Sequence, residues 1–196
     1  DDQAACAVGA AGDERFVTPH LDRIVREGAH LTNSFTTTPV CSPSRTGLLT
    51  SRYGSELGIT EWIHPGREPD LGLDPQVVTW PQLLARANYH NGLIGMWSLG
   101  AGARQHPSNA GYHEFWGIRK AGGPVENPEG ELPGGRTENI SGLTTDVFTD
   151  YALQFIRDNR HRAFLLSLHY RAPHEPWVPV RPEDEAPFEN LDPEIP

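Results

Sequence analysis

Apolar and polar residues follow two different periods along this chain, and each period predicts a different element. From Thr18 the apolar residues recur at helical spacing until Gly28, which predicts a helix of about three turns. Apolar and β-forming residues alternate over 30–37, which predicts a strand. Leucines after a proline predict a second helix over 43–51, so the residues between 37 and 43 join a strand to a helix.

The same alternation continues further along the chain. Thr79 begins a predicted helix that is followed by a short apolar strand over 92–97, and Thr145 begins another helix that is followed by a strand over 163–169. Helices that alternate with buried strands predict an α/β fold with a mostly parallel central sheet flanked by helices. Functional groups in such sheets gather at the carboxyl ends of the strands.

Composition narrows the classes of function. The 196 residues carry a formal net charge of −10, which argues against a nucleic-acid-binding surface. No apolar run reaches the length of a membrane span. The 18 prolines and 20 glycines concentrate in loops, and the segment 119–143 is predicted to be a surface excursion. Two cysteines allow at most one disulfide, which leaves the cellular compartment undecided.

The segment Cys41-Ser42-Pro43-Ser44-Arg45 carries the chemistry that is easiest to interpret. It places a thiol near the N-terminus of a predicted helix, where backbone amides favour an anion, and an arginine one helical turn later. The segment resembles the C-x-P-S-R signature of the type I sulfatases. In that family the cysteine is oxidised by a formylglycine-generating enzyme, and the hydrate of the resulting aldehyde attacks the sulfur of a sulfate ester.

The resemblance implies a fold, a nucleophile and a supporting cation. The implied fold is the alkaline-phosphatase-like sulfatase fold, with residues 1–196 as the N-terminal part of a single catalytic domain that is incomplete at both ends. Cys41 is the implied source of formylglycine, and Arg45 is implied to stabilise it. A buried cysteine before a proline turn, and an arginine in a surface ion pair, are the alternatives that carry no function.

The resemblance also implies a metal site. Asp1 and Asp2 lie about forty residues before Cys41, as does the acidic pair that begins the metal site of sulfatases. Carboxylates suit a hard divalent cation, so Asp1, Asp2 and the modified Cys41 are expected to bind Ca²⁺, with Mg²⁺ as the alternative. The second half of this metal site lies further along the chain in the family.

Ala172-Pro173-His174 follows a predicted strand and resembles the A-P-H segment of sulfatases. The resemblance implies that His174 binds sulfate and protonates the leaving alcohol, and an imidazole suits this role because it titrates near neutrality. The other histidines, His169 among them, are expected to be surface or packing residues.

One segment departs from the family pattern. Gly95-Met96-Trp97-Ser98-Leu99-Gly100 aligns with the family's G-K-W-H-L-G, so Met96 replaces a lysine that binds sulfate and Ser98 replaces a histidine that contacts formylglycine. Methionine carries no charge, and a serine hydroxyl is a far weaker base than imidazole. Ser98 is retained as a candidate substrate-binding residue.

The expected function is hydrolysis of a sulfate ester, with a sulfated carbohydrate or small molecule as substrate. Two alternatives stay open: a phosphonate monoester or phosphodiester hydrolase of the same superfamily, and a catalytically impaired protein that binds sulfated glycans. The family implies a periplasmic, secreted or lysosomal location.

Overall fold

The computed structural model describes residues 1–12 and 15–189. Within them the α-helices are α1 Pro19–Glu27, α2 Cys41–Thr50, α3 Trp80–Arg86, α4 Thr144–Asn159 and α5 Pro182–Glu185. The strands are β1 His90–Met96, β2 Glu114–Ile118, β3 Glu129–Glu131, β4 Thr137–Asn139 and β5 Phe164–His169. Short 3-10 helices cover Ala5–Ala7, Gly9–Ala11, Gly54–Leu57, Ala103–Gln105, Pro107–Ala110 and Ala186–Phe188.

The strands form one mixed sheet in the order β4-β3-β2-β1-β5. β1 pairs in parallel with both β2 and β5, whereas β3 and β4 form an antiparallel hairpin at the edge. The α/β fold class is therefore confirmed, and its parallel part consists of β1, β2 and β5. The antiparallel hairpin lies within 119–143, so this segment extends the sheet at its β2 edge.

The sheet separates two apolar clusters. On one face Leu93 and Phe115 pack with Leu49 of α2, and on the other Ile94 packs against Phe148 and its neighbours on α4. Successive residues of β1 point to opposite faces, and both faces are covered, which explains why β1 is apolar throughout its second half. The sheet is thus sandwiched between helices, as the alternating pattern predicts.

Each predicted helix is present, but among the four only α3 has a side-chain N-cap in the described part of the chain; Thr18 makes no capping hydrogen bond at the start of α1. At α3 the Thr79 side chain accepts from the Gln82 N–H at 3.4 Å, while the Gln82 side chain accepts from the Thr79 N–H at 3.1 Å. This reciprocal pair is a capping box, and it satisfies two backbone donors that the first turn cannot pair internally. α1 is also present, although its Leu21 and Ile24 are exposed.

The predicted strand over 30–37 is wrong. The segment is an irregular loop that runs from α1 to α2, and the described strands do not pair with it. Leu31 and Phe35 are 75% and 86% exposed, so the apolar residues of this segment do not pack against the rest of the protein. A strand requires a partner for its backbone groups, and this requirement overrides a local preference for extended conformation.

No helix of the described residues is long and apolar enough to cross a membrane.

Candidate active site

Arg45 joins three parts of the chain at the carboxyl end of the sheet. Its Nη2 donates to Asp1 Oδ1 at 2.5 Å, and its Nη1 donates to the Met96 carbonyl at 2.7 Å. Nη1 also lies 2.9 Å from His169 Nδ1. Met96 ends β1 and His169 ends β5, so the guanidinium links the ends of two parallel strands to the acidic N-terminal segment.

Burial shapes the electrostatics of Arg45. The side chain is almost entirely buried, and this loss of hydration lowers the pKa of its guanidinium. Negative charge at Cys41 or Asp2 acts in the opposite direction, so both residues lie within the guanidinium's electrostatic reach. The structure therefore brings Asp1, Asp2, Cys41 and Arg45 together, as the resemblance implies.

Cys41 is the first residue of α2 and follows Val40, which is extended. Its Sγ is partly buried and lies 3.9 Å from the Ser42 hydroxyl. The N-terminal amides of α2 point toward this end of the helix, where they stabilise negative charge. The helical half of the predicted strand-to-helix junction is confirmed, and a loop replaces the strand.

Ser42 fixes the start of α2 to its surroundings. Its hydroxyl donates to the Ser98 carbonyl at 2.8 Å and accepts from the Ile63 N–H at 3.1 Å. Thr46 donates to the Ser42 carbonyl at 2.8 Å. These buried bonds hold the N-terminus of α2 against the loop that follows β1, so the position of Cys41 is set by several elements at once.

Ser98 and Met96 occupy the two positions that depart from the family pattern. Ser98 is buried with a positive φ of 61°, and its Oγ has no hydrogen-bond partner among the described residues. Met96 is fully buried, and its Sδ lies 3.2 Å from the Gly122 nitrogen, whose N–H donates to it. The Met96 side chain thus packs beneath the loop that leads into the edge hairpin and supplies no charge.

His174 lies beside the second acidic residue. Its Nε2 is 3.7 Å from Asp2 Oδ2, and its Nδ1 donates to the Glu175 carbonyl at 2.7 Å. Because the Nδ1 proton is committed to that carbonyl, Nε2 is the nitrogen that can gain or lose a proton. The structure thus brings His174 to the same end of the sheet as Arg45.

His169 is a site residue that sequence reasoning missed. His169 Nδ1 lies 2.9 Å from Arg45 Nη1 and 3.2 Å from the Met96 carbonyl. Because a guanidinium N–H can only donate and the Arg45 contact is the shorter of the two, we assign the imidazole proton to Nε2. Burial lowers the pKa of His169 to about 4, and the Arg45 charge adds to this effect. Its place at the carboxyl end of a predicted strand was the available signal.

Gly95 keeps β1 and β5 close enough for this contact. It has a positive φ of 114°, and a side chain there would collide with the His169 carbonyl. Glycine is the residue that tolerates both conditions.

Asp1 and Asp2 are the available oxygen ligands for a cation. Asp1 Oδ2 is buried without a hydrogen-bond partner in the described part of the chain, which suits a cation as its neighbour. The described residues contain no group of three or more His, Cys, Asp or Glu side chains arranged to hold a metal ion. The two carboxylates therefore fit part of a site for a hard cation, and other ligands would have to complete it.

Comparison with known proteins identifies the family. A family model described as Sulfatase matches residues 1–194. The chain belongs to the sulfatase family. This match confirms the resemblance to sulfatases that the Cys41 and His174 motifs indicate.

Relatives of this sulfatase chain include enzymes named for different substrates. Mouse steryl-sulfatase is 35% identical over 158 residues, which are 76% of this chain and 24% of the relative. The N-acetylglucosamine-6-O-sulfatase of Bacteroides thetaiotaomicron is 28% identical over 181 residues, 92% of this chain and 30% of the relative. The sulfatase chain thus spans about a quarter to a third of the length of these curated relatives.

A solved structure supports the same assignment. The crystal structure of Ps i-CgsB in complex with k-i-k-neocarrahexaose matches with a TM-score of 0.91 and 25% identity, covering 99% of this chain and 48% of that one. The sulfatase fold is therefore confirmed over nearly the whole chain.

Proposed function

We propose that the whole protein hydrolyses sulfate esters of carbohydrates, with a nucleophile made from Cys41. Family membership supports sulfate-ester hydrolysis, and the relatives' names and the glycan-bound neighbour support a sugar substrate. The observation that carries the proposal is the Arg45 network. It holds Asp1 and the ends of β1 and β5 beside the N-terminus of the helix that begins with Cys41.

The proposed nucleophile is formylglycine, and the proposed modifying partner is a formylglycine-generating enzyme. Its aldehyde hydrate supplies a hydroxyl group that can attack sulfur and later release sulfate. Cys41 is partly accessible and lies at a helix N-terminus, where the amides of α2 favour a developing negative charge. The Ser42 hydrogen bonds keep this position fixed during the reaction.

Arg45 is proposed to stabilise negative charge beside Cys41. A guanidinium held by a carboxylate and a carbonyl needs no reorganisation when charge develops near it, and such preorganised groups lower the barrier most effectively. His169 occupies the remaining side of Nη1 as a neutral acceptor, so it adds no competing positive charge.

The proposed cofactor is Ca²⁺, with Mg²⁺ as the alternative ion. Asp1, Asp2 and the modified Cys41 would hold it together with ligands from outside the described residues. When bound, the ion supplies Lewis-acid polarisation of a sulfate oxygen. The buried, unpartnered Asp1 Oδ2 is the observation in favour of a cation here.

His174 is proposed to serve the leaving alcohol. With its Nδ1 proton donated to the Glu175 carbonyl, the imidazolium can deliver the Nε2 proton as the ester oxygen departs. Asp2 Oδ2 lies 3.7 Å from this nitrogen. Ser98 is proposed as a substrate-binding group because its buried Oγ has no partner among the described residues.

A second candidate follows from Met96 and Ser98. A site that lacks the family's lysine and histidine binds and releases sulfate less readily, which favours a sulfated-glycan-binding protein with impaired turnover. The buried Met96 Sδ, which accepts from the Gly122 N–H, is the specific observation for this alternative. The same substitutions leave room for phosphonate monoesters or phosphodiesters as substrates.

A substrate panel separates these functions. The whole protein, produced with a formylglycine-generating enzyme, is assayed on sulfated sugars, an aryl sulfate, a phosphodiester and a phosphonate monoester, beside Cys41→Ala. Sulfate release that Cys41→Ala abolishes supports the sulfatase proposal. Faster hydrolysis of the phosphorus esters would contradict it, and saturable binding of sulfated sugars without turnover would favour the second candidate.

A further inference from the structure

A second cavity adjoins the candidate site through His174. It has a volume of about 360 Å³ and lies between the segment that follows β5 and the N-terminal end of α4. Leu143, Pro173 and Trp177 contribute apolar walls, while Arg171 and His174 contribute polar groups. This volume and mixture are those of sites for small organic ligands.

Trp177 forms an exposed aromatic wall that is held in place. Its indole N–H donates to the Pro173 carbonyl at 2.9 Å, and yet the residue is 69% exposed. An indole fixed at its polar edge presents a flat apolar face to whatever enters the cavity. The C–H face of a pyranose ring matches such a surface in shape and polarity.

Arg171 places a positive charge at the cavity. It is only 4% exposed, and its Nε and Nη2 donate to the carbonyls of Gly123 and Pro176 at 2.7 and 3.0 Å. In the described part of the chain its Nη1 has no hydrogen-bond partner and no carboxylate pairs with the guanidinium. A buried cation that contacts only carbonyls favours an anionic ligand, because an opposite charge offsets its lost hydration.

The acidic groups of the cavity do not neutralise Arg171. Asp146 is paired with Arg181, and Asp184 forms no ion pair with Arg171 among the described residues. In this part of the described chain, Arg171 therefore has no acidic partner.

We propose that this cavity binds a second pyranose ring of the substrate, one that carries an anionic group. Trp177 packs against the ring, and Arg171 binds its carboxylate or sulfate. The inference rests on the proposed function, because His174 belongs both to the cavity and to the group beside Asp2. A ring in the cavity is thereby joined to the sugar whose ester is cleaved.

Calorimetric titration of the whole protein tests the cavity without turnover. The Cys41→Ala protein is titrated with three disaccharides that share one sulfated ring, and the second ring is a uronic acid, a sulfated sugar or a neutral sugar. The acidic ligands are expected to bind roughly tenfold more tightly than the neutral one. The stronger of the two acidic ligands identifies the anion.

Substitutions assign the effect to the two residues. Trp177→Ala is expected to weaken all three ligands by roughly tenfold, and Arg171→Gln to remove the preference for the acidic ligands. Arg171→Lys, which keeps the charge, is expected to retain part of that preference. Matched controls are Tyr89→Ala, an aromatic residue at the opposite end of β1, and Arg136→Gln, in an exposed ion pair.

Equal affinities for the acidic and neutral ligands would overturn the proposal, as would an unchanged affinity in Trp177→Ala. Absence of binding by all three disaccharides would do the same. The proposed function fails in a different way: the disaccharides still bind, but the unsubstituted protein releases no sulfate from them.

Discussion

At the residue scale, Arg45 connects the Cys41 motif to residues that are distant in sequence. Its separation from Cys41 is one helical turn, so their proximity follows from helix geometry alone. Its bonds to Asp1 and Met96 and its contact with His169 depend on how the sheet is assembled, because those residues are 44, 51 and 124 positions away. The first relation could be predicted from sequence and the second could not.

Arg45→Gln is expected to destabilise the protein by about 3 kcal/mol, because Asp1 Oδ1 and the Met96 carbonyl stay buried without their donor. Urea unfolding measures this change. The control is Arg52→Gln, which removes an exposed pair with Glu56 and is expected to cost about 0.5 kcal/mol. Equal effects of the two substitutions would show that Arg45 does not hold the site together.

His169 predicts how stability depends on pH. Its folded pKa of about 4 lies below the ordinary value of 6.5, so the unfolded chain binds a proton more readily than the folded one. This contribution to stability is present above pH 6.5 and is lost as the pH falls toward 4, with a loss of about 2 kcal/mol between pH 7 and pH 5.

Unfolding free energies at pH 7 and pH 5 test this prediction in His169→Gln, which keeps an acceptor for Arg45 but does not titrate. Its stability is expected to fall less on acidification than that of the unsubstituted protein. His161→Gln, at an exposed position, serves as the control. An unchanged pH dependence in His169→Gln would rule out the assigned role.

At the element scale, the helices and the parallel strands follow from local signals. The capping residues at Thr79, the apolar run of β1 and the periodic residues of α4 each indicate one element, and the structure confirms all three. The strand predicted over 30–37 is wrong because strand formation needs a neighbouring edge, which a local pattern does not report. The edge hairpin of β3 and β4 has strands of three residues, too short for the alternation to be recognised.

Thr79 provides a test of the capping argument. Thr79→Ala removes the cap of α3 and leaves the buried Ala110 carbonyl, 2.7 Å from Thr79 Oγ1, without its donor. A loss of about 2 kcal/mol in unfolding free energy is expected. Thr60→Ala, at an exposed position, is expected to change stability by less than about 0.5 kcal/mol. A similar small loss for both would contradict the argument.

At the scale of the whole molecule, the candidate site assembles from segments at both ends of the described chain. Asp1 reaches the sheet because its nitrogen donates to the Tyr170 carbonyl at 3.1 Å, just after β5. The rule that functional groups gather at the carboxyl ends of parallel strands predicts this location for Cys41, Met96 and His174, but not for Asp1. It does not predict the Trp177 cavity, which depends on how the segment after β5 packs against α4.

The two carboxylates of Asp1 and Asp2 predict weak Ca²⁺ binding by residues 1–196 alone. Ca²⁺ takes six to eight oxygen ligands, and one Asp1 oxygen is already bonded to Arg45. Calorimetric titration of the 196-residue chain with Ca²⁺ is expected to give a Kd of about 1 mM or weaker, with no binding in Asp2→Asn. Micromolar affinity would mean that these residues form a more complete site than their arrangement indicates.

The most direct test of the central proposal relates the state of Cys41 to sulfate release. The whole protein is produced with and without a formylglycine-generating enzyme, and mass spectrometry of the tryptic peptide that ends at Arg45 measures the fraction of thiol converted to aldehyde. Sulfate release from a sulfated sugar is measured on the same samples. The account predicts that specific activity rises in proportion to the aldehyde fraction and is absent in Cys41→Ala, whereas full activity in protein that carries only the thiol would contradict it.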